Sequence, residues 1–295
     1  MPKLTKTRDA DVAAVKARAA EIKPGEPLIT VRDIVKTYAG RTVLDAINLD
    51  VLQGETLVIM GGSGSGKSTM LRIMVGSVRP DSGDIRVAGT SLCAMDDALL
   101  TEYRKRGIGL LFQSGALFNS MSVHDNVALP LREHTDLAES TIDVVVKIKL
   151  ELVGLREHGD KMPAELSGGM KKRAGLARAM ALDPKILFYD EPSAGLDPVT
   201  SAEIDELIID LNEKLGITSV VVTHEMDSAR RVADRMVLLD RGKFIVSGTP
   251  DEMFNSTDPL TRQFMHGLTE GPLTERRKQS NYADDLLNAK PTPPR

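Results

Sequence analysis

Apolar and polar residues alternate along LITVRDIV, starting at Leu28, and along INLDVL, starting at Ile47, as they do in strands with one buried face. TLVIM (Thr56–Met60) is instead a continuous apolar run that breaks into glycines, the pattern of a strand buried on both faces that feeds a tight loop. Four later runs have the same character: 108–112 (IGLLF), 186–189 (ILFY), 218–222 (TSVVV) and 236–239 (MVLL). Helical periodicity falls between them, at 67–75, 141–153, 170–182 and 201–215. Strands alternating with helices require crossover connections, and so predict a mainly parallel central sheet in an α/β protein. Residues 114–165 interrupt the alternation with a mostly helical stretch, read as an inserted subdomain that extends into the following helix. Residues 1–27 form an N-terminal arm, with a short exposed helix over 9–22 that ends at Lys23-Pro24-Gly25-Glu26-Pro27. The main domain covers 28–268, and the polar residues 269–295 read as a tail.

Composition narrows the function classes. With 41% hydrophobic and 27% charged residues, the 295-residue chain has the balance of a globular protein rather than a disordered one. A formal charge of −4 argues against coating a nucleic-acid duplex, and aromatics at 3% with no Trp argue against a stacking platform for single strands. The single cysteine, Cys93, cannot form an internal disulfide or a multi-cysteine zinc site, which fits a reducing compartment. No run approaches the ~20 apolar residues of a membrane helix, and the N-terminus lacks a signal-peptide core. A membrane passage, if the function needs one, is expected from another polypeptide.

Chemistry enters at Gly61-Gly62-Ser63-Gly64-Ser65-Gly66-Lys67-Ser68, which fits G-x-x-x-x-G-K-[ST] at every fixed position, between a buried strand and a helix. Glycines let the backbone curl so that several N–H groups point inward, and the helix start adds partial positive charge. Lys67 would bridge the outer phosphates of a triphosphate, the Ser68 hydroxyl would ligate Mg²⁺, and Thr69 follows in the first helical turn. By itself this loop leaves kinases, GTPases, helicases and transport motors open. Together with the strand pattern it predicts a P-loop NTPase core.

The run 186–191 is a buried strand ending in Asp190-Glu191. Adjacent strand side chains point to opposite faces, so the two acids take separate roles. Asp190 is placed beside Mg²⁺, and Glu191 to orient or deprotonate the attacking water. His224 and Gln113 each end a strand at the ligand-binding edge of such a sheet. His224 can hydrogen-bond the γ-phosphate or the water, and Gln113 can reach Mg²⁺ or the water; an ordinary strand-end role is the alternative for both. Leu166-Ser167-Gly168-Gly169-Met170 opens a second helix with a hydroxyl, free N–H groups and a helix dipole, another anion site. Two phosphate-binding helix starts but only one lysine-bearing loop point to a dimer. Each triphosphate would lie between one copy's Lys67 loop and the other's Ser167 loop.

These motifs, in this order, resemble the nucleotide-binding subunits of ABC transporters over residues 28–268. The resemblance implies Tyr38 as the adenine-stacking residue and Gly61 to Ser68 as the phosphate loop. It implies Gln113 as the Q-loop glutamine, Leu166 to Met170 as the signature with Ser167, Gly168 and Gly169 on the nucleotide, Glu191 and His224 as the catalytic pair, and Asp197 at the dimer seam. It also implies ATP and Mg²⁺, an N-terminal antiparallel β part, and a head-to-tail homodimer with two equivalent sites. Met170 departs from the family's usual Gln and cannot donate a hydrogen bond.

The blocks 112–118, 123–132, 166–173 and 264–272 further resemble the MlaF-type ATPases of Mla/Mce lipid transport systems. By that resemblance the partners would be a second copy, a multi-spanning permease, an Mce-domain protein and a STAS-domain small subunit. The chain would sit peripherally on the cytoplasmic face of the inner membrane, touching it through the permease, with phospholipid as cargo and no nucleic acid bound. Leu117, Phe118, Met121 and Val123 would offer the permease an apolar surface, with local core packing as the alternative. Lys171, Lys172 and Arg173 are read as a solvated helix face or a lipid contact. An ATPase of another ABC transporter class is the alternative, as is a non-transport member acting on DNA or the ribosome. Against the latter, the interval from Ser68 to Leu166 holds one cysteine and no heptad array. A nucleotide kinase or GTPase would have no use for residues 166–170.

Overall fold

The computed structural model describes residues 14, 15, 17–19 and 21–274. Its centre is a six-stranded sheet of order β10-β9-β3-β8-β7-β6, comprising β3 (Thr56–Met60), β6 (Ile108–Leu111), β7 (Ile186–Asp190), β8 (Thr218–Val222), β9 (Arg235–Asp240) and β10 (Lys243–Gly248). All neighbours are parallel except the edge hairpin β9–β10. The apolar runs are continuous because the sheet is covered on both faces. Leu57 and Ile59, with Phe188, Val220 and Val222, enter one core cluster, while Val58 and Met60, with Leu187, Tyr189 and Val221, enter the other. A smaller antiparallel sheet of order β2-β1-β4-β5 packs into the first cluster, with β1 (Pro27–Tyr38), β2 (Arg41–Leu52), β4 (Ser82–Val87) and β5 (Thr90–Ser91).

The inserted segment folds as expected into two helices, α3 (Val123–His134) and α4 (Glu139–Leu152), joined to the signature helix α5 (Gly168–Ala179). Two shorter helices precede them, α1 (Lys67–Met74) after the phosphate loop and α2 (Asp97–Arg106) before β6. Asn126 is fully buried and organises the entry to the insertion. Its amide N–H groups donate to the carbonyls of Phe118, Met121 and Ser122, and its Oδ1 accepts from Phe118 N. Unsatisfied carbonyls buried beneath that turn would otherwise be costly.

Two expectations change, and one open alternative is resolved. Within the arm, Val15 and Ala19 are buried, and Ile22 packs beside them in the first cluster, so the described part of that helix is not an exposed appendage. Val15 and Ala19 share a face four residues apart, and Arg18 Nη1 donates to Thr90 Oγ1 at 3.2 Å. At the other end, Leu273 and Thr274 fold back. Gln263 Oε1 accepts from Leu273 N at 2.7 Å, and its Nε2 donates to Thr274 Oγ1 at 2.6 Å. Val123 is core, whereas Phe118 is half exposed and stacks under the Arg178 guanidinium at 5.6 Å. Among the described residues, no helix is long and apolar enough to cross a membrane.

Candidate functional site

Parallel pairing brings four strand ends level. Ile59 pairs with Val222, Val222 with Asp190, and Tyr189 with Leu111. The segments that leave these strands carry Gly61, His224, Glu191 and Gln113, so motifs far apart in the chain meet along one edge. They line one cleft of about 1030 Å³ that gathers Gly61, Gly62, Ser63, Gly64, Lys67, Ser68, Gln113, Asp190, Glu191 and His224.

The phosphate loop is shaped by its glycines. Gly66 caps α1 in the left-handed region (φ 113) with no side-chain cap, so the first helical N–H groups stay available. A Cβ at Gly61 would lie 2.2 Å from the Leu239 carbonyl oxygen, so no larger residue fits there. Lys67 Nζ donates to the carbonyls of Gly61 at 2.7 Å and Gly62 at 3.1 Å. Burial pushes its ammonium below the ordinary lysine range, while Glu191 and Asp190 pull the other way. Ser65 and Gly66 shape the loop from beneath; they and Thr69 are outside the lining of the cleft.

Asp190 is half-buried. Burial raises its carboxyl above the usual range and the neighbouring Glu191 adds to this, opposed by Arg72 and Lys67. Glu191 adopts a left-handed backbone (φ 51), uncommon for a residue with a side chain. Its N–H donates to Val222 O at 2.8 Å, and its Oε2 lies 2.9 Å from His224 Nδ1 and accepts from His224 N at 3.3 Å. Ser68, Gln113 and Asp190 present hydroxyl, amide and carboxylate oxygens to the cleft, a hard donor set suited to Mg²⁺ shared with phosphates. A cation there would relieve the electrostatic penalty on Asp190. Among the described residues there is no group of three or more His, Cys, Asp or Glu able to hold a metal alone.

Two predicted elements stand apart from this cleft. Tyr38 is 43% exposed, with Lys36 Nζ 5.4 Å from its ring centroid, and is not part of the lining. Ser167 caps α5, accepting from Met170 N at 3.3 Å, and with Gly169 and Met170 faces a separate shallow depression beside Arg173, Thr200 and Glu203; Gly168 lies between them. Asp197 caps helix α6 (Pro198–Leu215), accepting from Val199 N, Thr200 N and Thr200 Oγ1, which hold its carboxyl below the usual range.

Sequence reasoning missed two contributors. Residues 263–268, with Leu273 and Thr274, line the same cleft as the phosphate loop. Part of that stretch carried a family resemblance but no recognisable chemistry. Lys172, read as part of a solvated cluster, is buried, and its Nζ donates to the carbonyls of Glu191 and Ala194. Arg173 beside it pairs with Glu203 at 2.7 Å.

The family profile described as ABC transporter matches residues 44–194. The intermembrane phospholipid transport system ATP-binding protein MlaF of Escherichia coli K12 is 44% identical over 260 residues, covering 88% of this chain and 96% of that protein. A Mycobacterium tuberculosis protein named "Probable ribonucleotide transport ATP-binding protein mkl" is 42% identical over 265 residues, covering 88% of this chain and 74% of that one. Among solved structures, the dimeric ATP-binding cassette MJ0796, in a post-hydrolysis state bound to ADP and Pi, matches with a TM-score of 0.70 at 32% identity over 75% of this chain and 98% of that one.

Proposed function

Because the chain belongs to the ABC transporter family, we propose that it is the ATP-hydrolysing subunit that powers a phospholipid transporter. One observation carries the ATPase reading: the phosphate loop, Gln113, Asp190, Glu191 and His224 share one cleft, while Ser167 and Gly169 face elsewhere. A single chain thus holds one complete hydrolytic half-site and one unused anion site, which is what a head-to-tail pair needs. The dimeric relative of known structure supports that arrangement.

In the proposed cycle, Lys67 leaves the loop carbonyls to neutralise the outer phosphates of ATP. The α1 N–H groups hold the remaining oxygens. Ser68, Asp190 and Gln113 would hold Mg²⁺, which supplies charge neutralisation at the phosphates. Glu191 accepts a proton from the attacking water as that oxygen bonds to the γ-phosphorus, and the bond to ADP breaks. His224 holds the Glu191 carboxylate in place. Ser167, Gly168 and Gly169 of the second copy close over the same triphosphate, Tyr38 stacks on the adenine, and Asp197 sits at the seam. Hydrolysis then loosens the pair.

Phospholipid as cargo is supported by the MlaF relatives, which this chain matches over nearly their whole length. A multi-spanning permease, an Mce-domain protein and a STAS-domain subunit are the proposed partners, with the chain peripheral on the cytoplasmic membrane face. The test is transfer of a fluorescent phospholipid between two vesicle populations by the assembled complex. Transfer should need ATP and vanish in Lys67→Ala. Turnover stimulated by ribonucleotides, with no lipid moved, would instead favour the reading suggested by the mycobacterial relative's name.

A further inference from the structure

We infer that Lys172 is a positioning residue that ties the signature helix to the backbone of Glu191 in the same chain. The inference rests on the reading of Glu191 as the group that activates water. Lys172 lies in α5, five residues after Ser167, and only 4% of its surface is exposed. Its Nζ donates to Glu191 O at 3.0 Å and to Ala194 O at 2.9 Å. A buried ammonium is costly unless its N–H groups are satisfied, so the side chain is committed to those two carbonyls. Burial also pushes its pKa down, opposed by Glu225 and Glu191.

One of these carbonyls belongs to a residue with an unusual backbone. Glu191 sits in the left-handed region, which a non-glycine residue keeps only when its surroundings hold it there. One peptide group is pinned by the bond from Glu191 N to Val222 O, and the next by Lys172. Glu191 O also accepts from Ala194 N, but at a longer 3.3 Å, so removing Lys172 leaves the second peptide group on that bond alone while the first is untouched. The far side of the same loop is held independently, through Ser193 Oγ donating to Ser228 Oγ and Ser228 Oγ donating to Asp205. Loss of Lys172 therefore loosens the aim of the Glu191 carboxylate without releasing the whole loop.

The consequence is communication between the two ATP sites of a dimer. The N-terminal end of α5 serves the partner's nucleotide, whereas Glu191 serves its own. Lys172 joins them about 1.4 helical turns from Ser167, so a shift of α5 on one side is passed to the hydrolytic backbone on the other.

The test compares K172M, K172R and E191Q in the full-length chain, assayed with its membrane partners. K172M should lower kcat about 10- to 100-fold, the scale of a misaimed catalytic group, with ATP affinity within about twofold of wild type. K172R should restore most of kcat, because a guanidinium can donate to two carbonyls. Where K172M does not accumulate as folded protein, K172Q carries the same comparison. Unchanged kcat in folded K172M or K172Q, with E191Q inactive, overturns this inference alone. Parallel losses of kcat, ATP affinity and melting temperature reduce Lys172 to a packing residue and overturn it as well. Wild-type turnover in E191Q would remove the underlying reading of Glu191, and this inference with it.

Discussion

His224 Nδ1 lies 2.9 Å from Glu191 Oε2, and the His224 backbone N–H reaches the same oxygen at 3.3 Å. Thirty-three residues separate the two in sequence. They meet because β7 and β8 are parallel neighbours in register. Glu191→Gln keeps the shape but cannot take a proton. It should retain ATP binding, accumulate a closed dimer on ATP, and lose about 10²- to 10⁴-fold in kcat. Size-exclusion chromatography with a turnover assay checks both parts. Turnover near wild type would remove Glu191 from its proposed role.

Ser167→Arg tests the composite site. The substitution removes an N-cap, costing about 1 kcal/mol, and puts a long cation where the partner's phosphates would sit. Nucleotide binding to the Lys67 loop should persist while hydrolysis in the assembled complex disappears. Intact hydrolysis would mean that each chain works alone.

Asp190 makes a pH-dependent prediction. Burial and Glu191 raise its carboxyl in the folded chain, so ionisation is easier in the unfolded state. The resulting penalty is absent below the unfolded pKa, grows as pH rises toward the folded pKa, and is complete above it. Asp190→Asn should therefore raise the melting temperature of the nucleotide-free chain at pH 7, by an amount that shrinks as pH falls toward the ordinary carboxylate range. The same variant should lose hydrolysis. A pH-independent drop in melting temperature would contradict the electrostatic account.

Asp205 is fully buried. It accepts from Ser228 Oγ at 2.6 Å and from Arg231 Nε and Nη2 at 2.9 and 2.7 Å. Asp205→Ala leaves Ser228 and Arg231 without that acceptor, but Arg231 is partly exposed and can rehydrate. A loss of about 1–3 kcal/mol is expected from urea denaturation, smaller than for a pair sealed from water. A midpoint unchanged from wild type would show that the buried carboxylate contributes nothing net.

Much of this was legible from local pattern. The phosphate loop, the Asp190-Glu191 pair and the strand-end His224 are each a short motif attached to a doubly buried strand. An apolar run marks such a strand without reference to the rest of the fold. The insertion was equally visible, because 141–153 has helical period and interrupts the strand–helix alternation. Lys172 was not legible. Next to Lys171 and Arg173 it reads as part of a charged face, and only the approach of the 191–194 loop makes its position an interior one. Nor did Val15, Ala19 or Leu273 announce their packing, since the surfaces that bury them lie far away in sequence.

The chain's sequence alone therefore determined which elements form, which chemical groups end the strands, and the ABC ATPase family to which it belongs. Those properties depend on neighbours a few residues apart. Tertiary structure decided which groups share a cleft, that Ser167 and Gly169 stand away from it, and that a lysine from one motif holds the backbone of another. Strand order and helix packing set these distances, and the residues involved carry no local mark of the partners they meet.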